Sequence, residues 1–259
     1  MKNNYPIHIT FLGTGTSQGI PVISCKCDVC KSSDSRNMRL RSSLFFNINS
    51  VKFVIDIGPD FRQQMLINHI EDVDAILLTH EHKDHLAGLD DVRPFNYLKR
   101  KAIDVFAENR VIDAIHREFS YIFSKEKYPG IPVLNIHEIS NQNFEYNGIE
   151  IIPIRVMHWK LPILGFRIQN FAYITDASLI EFDEIQKLQN LDVLVINALQ
   201  IEKHYSHYNL EEALQVVQKI KPKRAYFTHI SHHLGLYEKV QSQLPECVFL
   251  GYDGLQLIV

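Results

Sequence analysis

Tryptophan, methionine and cysteine are scarce in this sequence, with one, four and four residues among 259. Four cysteines do not frame a secreted disulfide scaffold, and three of them fall within six positions, which suits a metal better than bridges. Neither sign of charge dominates: 27 Lys and Arg face 30 Asp and Glu, a net of −3. That balance argues against a broad basic surface for nucleic acid. No apolar run approaches the roughly 18 residues of a membrane helix, and the opening MKNNYPIHITF has no secretory h-region. The expectation is a cytoplasmic protein with no membrane partner. Internal repeats, low-complexity tracts and long linkers are missing too. With 46% hydrophobic residues there is material for a large core, so residues 1–259 are expected to form one domain. Histidine is what abounds, at thirteen residues, most of them inside motifs.

Apolar runs predict strands at 7–12, 43–49, 52–57, 75–79, 103–107, 149–157, 163–168, 172–175, 193–197, 224–228, 248–250 and 255–259. Helical patterns fall near 61–68, 92–98, 110–117, 180–188, 210–220 and 236–244, and Asn209 with Glu212 forms a capping-box start for the fifth of these. Strands in two runs with helices between them predict a layered α/β domain. The segment Gly13-x-Gly15-x-x-x-Gly19 is one residue too long for a dinucleotide fingerprint and is followed by Pro21 and cysteines, not a helix. It reads as a tight loop at a strand end.

The strongest signal is Thr79-His80-Glu81-His82-Lys83-Asp84-His85-Leu86-Ala87-Gly88, at the polar end of an apolar strand. His80 and His82 point the same way if the chain stays extended, so both can grip one ion. Asp84 and His85 follow a turn and suit a second ion beside the first. The bland alternative is a solvated loop that happens to be rich in histidine.

This HxHxDH string resembles the signature of the metallo-β-lactamase superfamily. The resemblance implies a four-layer αββα sandwich with a two-metal site along one edge of its paired sheets. It also implies further ligands, matched by His158 at a strand end, Asp176 in Thr175-Asp176-Ala177, and His229 in Thr228-His229-Ile230. His80, His82 and His158 would then hold one cation, Asp84, His85 and His229 the other, with Asp176 bridging. Two such ions can share a hydroxide and clamp a phosphoryl group during in-line displacement, with Asp84 counted among the catalytic groups. The net positive site favours an anionic phosphodiester, and the mixed nitrogen and oxygen shell suits Zn²⁺ or Mn²⁺.

Cys25-Lys26-Cys27-Asp28-Val29-Cys30 offers three thiolates in one loop, a structural zinc knot at 25–30 short of one ligand. His232 is the candidate fourth ligand and His233 the runner-up; reduced surface cysteines are the alternative. Cys247 stands alone and reads as a small buried hydrophobe. CxCxxC together with Thr228-His229-Ile230-Ser231-His232, Gly88-Leu89-Asp90-Asp91-Val92-Arg93-Pro94 and Gly251-Tyr252-Asp253-Gly254 is similar to the cyclic-phosphate phosphodiesterases of bacterial phosphonate breakdown. That family implies a small cyclic sugar phosphate as substrate and a catalytic histidine before the penultimate helix, here His207, with His204 as competitor. A protonated imidazole there would stabilise the phosphorane-like state or protonate the leaving alkoxide, and needs an acidic neighbour. Asp56 and Asp253 are candidates to hold ligating imidazoles in place, or to cap loops.

Arg93 suits either a phosphate contact or a helix-start ion pair. Phe119, Tyr121, Phe123 and Tyr128 lie in a segment that would cap the pocket, form a homodimer surface, or fill the core. His8, His69, His116 and His137 fit no motif. One rival function is a tRNase Z-like endonuclease, whose tRNA-gripping arm has no room in the 18 positions between His158 and Asp176. The other is a metal-stabilised binding module without turnover.

Overall fold

The computed structural model describes residues 5–126 and 129–259. Six strands open the chain: β1 (Ile7–Gly13), β2 (Ser43–Ile48), β3 (Val51–Ile55), β4 (Ala75–Leu77), β5 (Ile103–Ala107) and β6 (Leu134–Glu138). Seven more follow, β7 (Phe144–Tyr146), β8 (Ile149–His158), β9 (Leu161–Ile168), β10 (Phe171–Tyr173), β11 (Val193–Asn197), β12 (Arg224–Thr228) and β13 (Val248–Leu250). The last strand, β14 (Gln256–Ile258), returns to the first group, giving sheets ordered β14-β1-β2-β3-β4-β5-β6 and β13-β12-β11-β10-β9-β8-β7. Each sheet is antiparallel in one half and parallel in the other, from β3 to β6 and from β10 to β13. Parallel neighbours require crossovers. These are supplied by α1 (Phe61–Ile67), α2 (Lys83–Leu86), α3 (Arg93–Lys99) and α4 (Asn109–Glu118) in the first half, and by α5 (Phe182–Gln186), α6 (Leu210–Ile220) and α7 (Tyr237–Gln241) in the second.

Strand alternation sorts side chains into three cores. Phe171, Tyr173, Val193 and Val195 meet Phe11, Phe46 and Phe53 between the sheets, where Phe46 and Phe53 stack at 4.6 Å. The intervening Ala172, Leu194 and Ile196 face outward onto Ala213, Val216, Val217 and Ile220 of α6. On the other side Ile76, Val105 and Ala107 pack against Phe61, Phe95, Val111 and Ile115. Three cores separate four layers, so the architecture is the αββα sandwich. Among the described residues, no helix is long and apolar enough to cross a membrane.

The structure adds what hydrophobic periodicity misses. Strands β6 and β7 are the outermost of their sheets and largely exposed or half-buried, so they lack a core-facing apolar run. The aromatic segment fills the core under α4: Phe119 is buried, Tyr121 and Phe123 pack on the same cluster, and Phe123 stacks on His116 at 4.2 Å. Tyr128 lies outside the described residues. Arg93 takes the helix-start role, pairing with the Asp90 carboxylate and donating to the Asp90 carbonyl at 3.1 Å. Cys247 is exposed, because it sits in the turn entering β13 rather than in the strand.

Asp253 also departs from one expectation. Its carboxylate holds no imidazole; it accepts the Thr14 amide at 2.9 Å, the Thr14 hydroxyl at 2.7 Å and the Leu40 amide at 2.6 Å. Buried Arg39 donates to the same Thr14 hydroxyl at 2.6 Å and to the Gly251 carbonyl at 2.5 Å. Together they brace the long excursion between β1 and β2. Burial pushes the Asp253 carboxyl up to about 6 in spite of these donors. Replacing Asp253 with Ala strands the Thr14 and Leu40 amides and removes a charge that favours the buried Arg39 guanidinium, and is expected to lower unfolding free energy by about 3 kcal/mol in a urea titration. At the start of α6, the Asn209 side chain accepts the Glu212 amide at 2.9 Å and the Glu212 carboxylate accepts the Asn209 amide at 3.1 Å. Asn209→Ala should cost about 1–2 kcal/mol in the same assay.

Candidate metal centre

The site lies where the carboxyl ends of strands from both sheets converge, the usual place for a ligand in an open α/β sheet. The sheets are stitched there by backbone: Thr16 donates to Ile230 at 3.0 Å, Ile230 to Thr14 at 2.8 Å, and Leu164 to Thr79 at 3.2 Å. His80 follows β4, His158 ends β8, Asp176 follows β10 and His229 follows β12. His82 caps α2, which carries Asp84 and His85. This loop is clasped by backbone: Ile57 donates to the His85 carbonyl at 2.7 Å and Gly88 to the Ile57 carbonyl at 2.9 Å. The approach demands glycine at 58, where a Cβ would stand 2.0 Å from the Asp84 carbonyl oxygen.

Two donor groups result. His80, His82 and His158 form one; Asp84, His85, Asp176 and His229 form the other, and in each the ligand atoms lie within 4.8 Å of one another. Asp56, at the end of β3, accepts the His85 Nδ1–H at 2.7 Å, the Thr79 amide at 2.9 Å and the Thr79 hydroxyl at 2.9 Å. His158 Nδ1 donates to the carbonyls of Asp176 and Ser206, both at 2.9 Å, so its Nε2 lone pair faces the site. His80 Nδ1 is engaged by the Thr79 hydroxyl at 2.9 Å.

The donor set fits a divalent metal on two observations. The Nε2 atoms of His80 and His85 are fully buried without a hydrogen-bond partner, a cost that a coordinated cation removes. The electrostatics agree. Burial, with the charge on His85 beside it, holds His80 well below the ordinary histidine value; burial likewise lowers His158 and brings His229 to about 3. Burial thus favours the neutral imidazole at all three, the form that binds metal. Burial also disfavours charge on His85, but Asp84, Asp176 and Asp56 outweigh it and raise its pKa well above normal. Its Nε2 stands 3.1 Å from Asp84 and 3.3 Å from Asp176, so the carboxylates call for a positive charge at that point.

His207, in the loop before α6, reaches the same centre: its Nε2 is 3.0 Å from Asp176 Oδ1, and its ring stacks on His229 at 4.9 Å. The acidic neighbour its role requires is therefore Asp176. Its Nδ1 faces Ser206 Oγ at 3.0 Å and His204 Nδ1 at 3.1 Å, which places His204 one step further from the metals. His158, Asp176 and His207 also offer a third donor set. Away from the centre, Cys25, Cys27 and Cys30 surround His232 Nδ1 at 3.3, 3.4 and 3.6 Å. A tetrahedral zinc with ordinary Zn–S and Zn–N bonds sets sulfur and nitrogen about 3.6 Å apart, so the spacing fits. The Cys30 amide lowers the Cys27 thiol to about 6 with help from His232. His233 lies outside this set, its ring tilted against His232 at 4.0 Å.

Several supporting residues escape the motif reading. Asn197, at the end of β11, grips both backbone groups of Ala177, at 2.8 and 2.9 Å, and so fixes the turn carrying Asp176. Ser42 and Thr16 each lie 3.2 Å from the His229 ring. Their signal in sequence is slight: polar residues closing apolar strands, as in Leu78-Thr79-His80 and Ile196-Asn197-Ala198.

Comparison with known proteins bears on the family and the fold. A family model described as a beta-lactamase superfamily domain matches residues 52–230. A crystal structure of a new diphosphatase from the PhnP family superposes with a TM-score of 0.92 at 36% identity, covering 98% of this chain and 97% of that one. Zinc-bound PqqB from Methylobacterium extorquens shares the fold, with a TM-score of 0.79 and 19% identity over 96% of this chain and 99% of that one. Among curated proteins, an octanoyltransferase from Porphyromonas gingivalis is 40% identical over 251 residues, 96% of this chain and 51% of that protein. The coenzyme PQQ synthesis protein B of Methylorubrum extorquens is 28% identical over 151 residues, 50% of each. The chain thus spans about half the length of the curated relatives it matches. On the strength of the family model and the near full-length structural relative, the chain belongs to the metallo-β-lactamase superfamily and, within it, to the PhnP family.

Proposed function

We propose that the chain is a dinuclear metal-dependent phosphodiesterase acting on a small anionic phosphodiester, cyclic phosphates above all. The observation that carries this reading is that two donor groups adjoin, the His80 and His85 rings 4.2 Å apart, with His207 3.0 Å from the Asp176 carboxylate. Two divalent ions held there, Mn²⁺ or Zn²⁺, would supply a nucleophile at neutral pH and the positive charge that a phosphoryl group needs. His80, His82 and His158 would hold the first and Asp84, His85 and His229 the second, with Asp176 available to both. Asp56 fixes the tautomer and tilt of His85, and the Asp176 and Ser206 carbonyls do so for His158. His207 delivers the proton to the leaving alkoxide, its ring held by Ser206 and Asp176.

Similarity to a diphosphatase supports the class. A cyclic diester and a disubstituted diphosphate both present a doubly substituted phosphoryl centre with one negative charge, two esters in the first and an ester and an anhydride in the second. The tRNase Z reading is weaker, since β9 and β10 consume the chain from His158 to Asp176 and leave no arm for tRNA. Zinc in the Cys25, Cys27, Cys30 and His232 set is structural in this reading, closed and without an open position.

Three measurements test it. The Mn²⁺-loaded protein should cleave bis(p-nitrophenyl) phosphate and leave the monoester and a β-lactam intact; two bound metals without diester cleavage would favour the binding-module reading. His207→Ala should lose about 10²–10⁴ of turnover with both metals retained, and loss of one metal would make it a ligand instead. Cys27→Ser should lower the thermal midpoint and remove one zinc per chain while the two-metal content stays, measured by metal analysis of the purified variant.

A further inference from the structure

Five imidazoles belong to the two donor groups. Four of them have a ring nitrogen in a hydrogen bond: His80 with Thr79, His85 with Asp56, His158 with two carbonyls and His229 with Ser42. These four are buried. The fifth, His82, is exposed and has no such partner among the described residues. An imidazole ligand ordinarily gives its second nitrogen to a neighbour that fixes the ring, so His82 must be held in another way. The residues on either side of it supply one. Glu81 pairs with Arg110 at 3.1 Å and Lys83 with Glu118 at 2.5 Å, both partners standing on α4. Arg110 also donates to the Pro162 carbonyl at 2.9 Å, on the strand that turns back from His158. α4 is itself bolted to β8: Glu108, its N-cap, accepts from both terminal nitrogens of Arg155, at 2.8 and 2.5 Å.

We propose that Arg110 is a positioning residue for the first metal group, holding exposed His82 against His80 and His158 by gripping Glu81 and the Pro162 carbonyl together. This rests on the two-metal reading of the site and concerns one cation of the two. Arg110 makes no hydrogen bond or ion pair with Asp84, His85, Asp176 or His229 among the described residues. The His82 ring stands 4.6 Å from that of His80 and 5.1 Å from that of His158, and a small swing of its backbone would open the set. One guanidinium touches both chain segments whose relative placement decides that spacing, the loop through Glu81 and the hairpin after His158. Its planar fork can serve two acceptors at once, which an ammonium does less well. Both acceptors occupy it, so it acts through the backbone around His82 and not on substrate. The two ion pairs are unequal. Lys83 is 69% exposed and its pair is screened, whereas Arg110 and Glu81 are 35% and 21% exposed. The Arg110 side of the clamp therefore carries the effect.

Zinc release from the zinc-loaded protein to graded 4-(2-pyridylazo)resorcinol, a coloured chelator, tests the idea without substrate. In Arg110→Ala one zinc of the centre should bind about 10- to 100-fold more weakly, with the other and the cysteine-bound zinc unchanged. Glu81→Gln should act in the same direction, and Arg110→Lys should recover part of the loss. In a His82→Ala background, Arg110→Ala should weaken that zinc no further, which ties the effect to His82. Salt gives a readout that a merely structural role would not move: raising it from about 0.05 to 0.5 M should weaken the same zinc in the wild type and not in Arg110→Ala. Circular dichroism should be superimposable throughout, and if Arg110→Ala does not fold, Glu81→Gln carries the same test. Wild-type zinc affinities in these variants would overturn the proposal. Equal weakening of both centre zincs would also overturn it, making Arg110 a support of the fold. A wild type that holds only the cysteine-bound zinc would instead remove the two-metal reading beneath it.

Discussion

A buried carboxylate organises this molecule. Asp56 has no access to solvent, yet it sits at the end of β3 between two sheets of hydrocarbon. Burial raises its pKa, and His85 and Thr79 oppose the rise. An isolated carboxylate in that position would be worth several kcal/mol of destabilisation, so its partners are obligatory. They come from β4 and α2: the Thr79 amide and hydroxyl from the strand, and His85 from the short helix. Satisfying one acid therefore fixes three segments at once.

The same economy recurs at each strand end. Asp56, Asp176 and His229 all lie in the left-handed region, at φ 61°, 58° and 53°. Asp and His enter that region more readily than branched residues, and the turn it produces swings each side chain across the edge of its sheet toward the other. Asp176 is held by Asn197 through the Ala177 backbone, His229 by pairing of Ile230 with Thr14 and Thr16. Asp176 is thus fixed within its own sheet by a side chain, and His229 by backbone pairing between the sheets. Neutral imidazoles beside ionised carboxylates then make a cavity whose electrostatic need is a cation.

Much of this was legible in the sequence, for a physical reason. Metal donors are few in kind, and His80, His82, Asp84 and His85 cluster tightly at the end of an apolar strand. The spacing of Cys25, Cys27 and Cys30 is as plain. What sequence does not carry is the identity of groups that act through geometry alone. Asn197 is one polar residue after Val193–Ile196, and nothing local says that its amide will clasp a turn twenty residues earlier. Asp253 misleads for a related reason: a carboxylate in a Gly-Tyr-Asp-Gly turn is chemically able to hold an imidazole or to cap a loop, and only the fold brings Thr14 and Leu40 to it. Strands β6 and β7 escape periodicity because edge strands bury too little.

The cysteine knot can be placed in the same scheme. Residues 14–42 run between β1 and β2 with only isolated bridges and one short 3-10 turn at Ser35–Asn37. A segment of that length without regular structure needs fixed points, since it buries little of its own. Asp253 supplies one at Thr14 and Leu40, and Arg39 another through Thr14 and Gly251. The third is His232, which stands three residues beyond His229 and joins Cys25, Cys27 and Cys30. A zinc in that set would tie the excursion to the strand end that carries His229, just where Thr16 and Ser42 from the same excursion meet the His229 ring. The knot is remote from the reacting centre in chemistry and adjacent to it in mechanics: it holds the wall against which one metal donor rests.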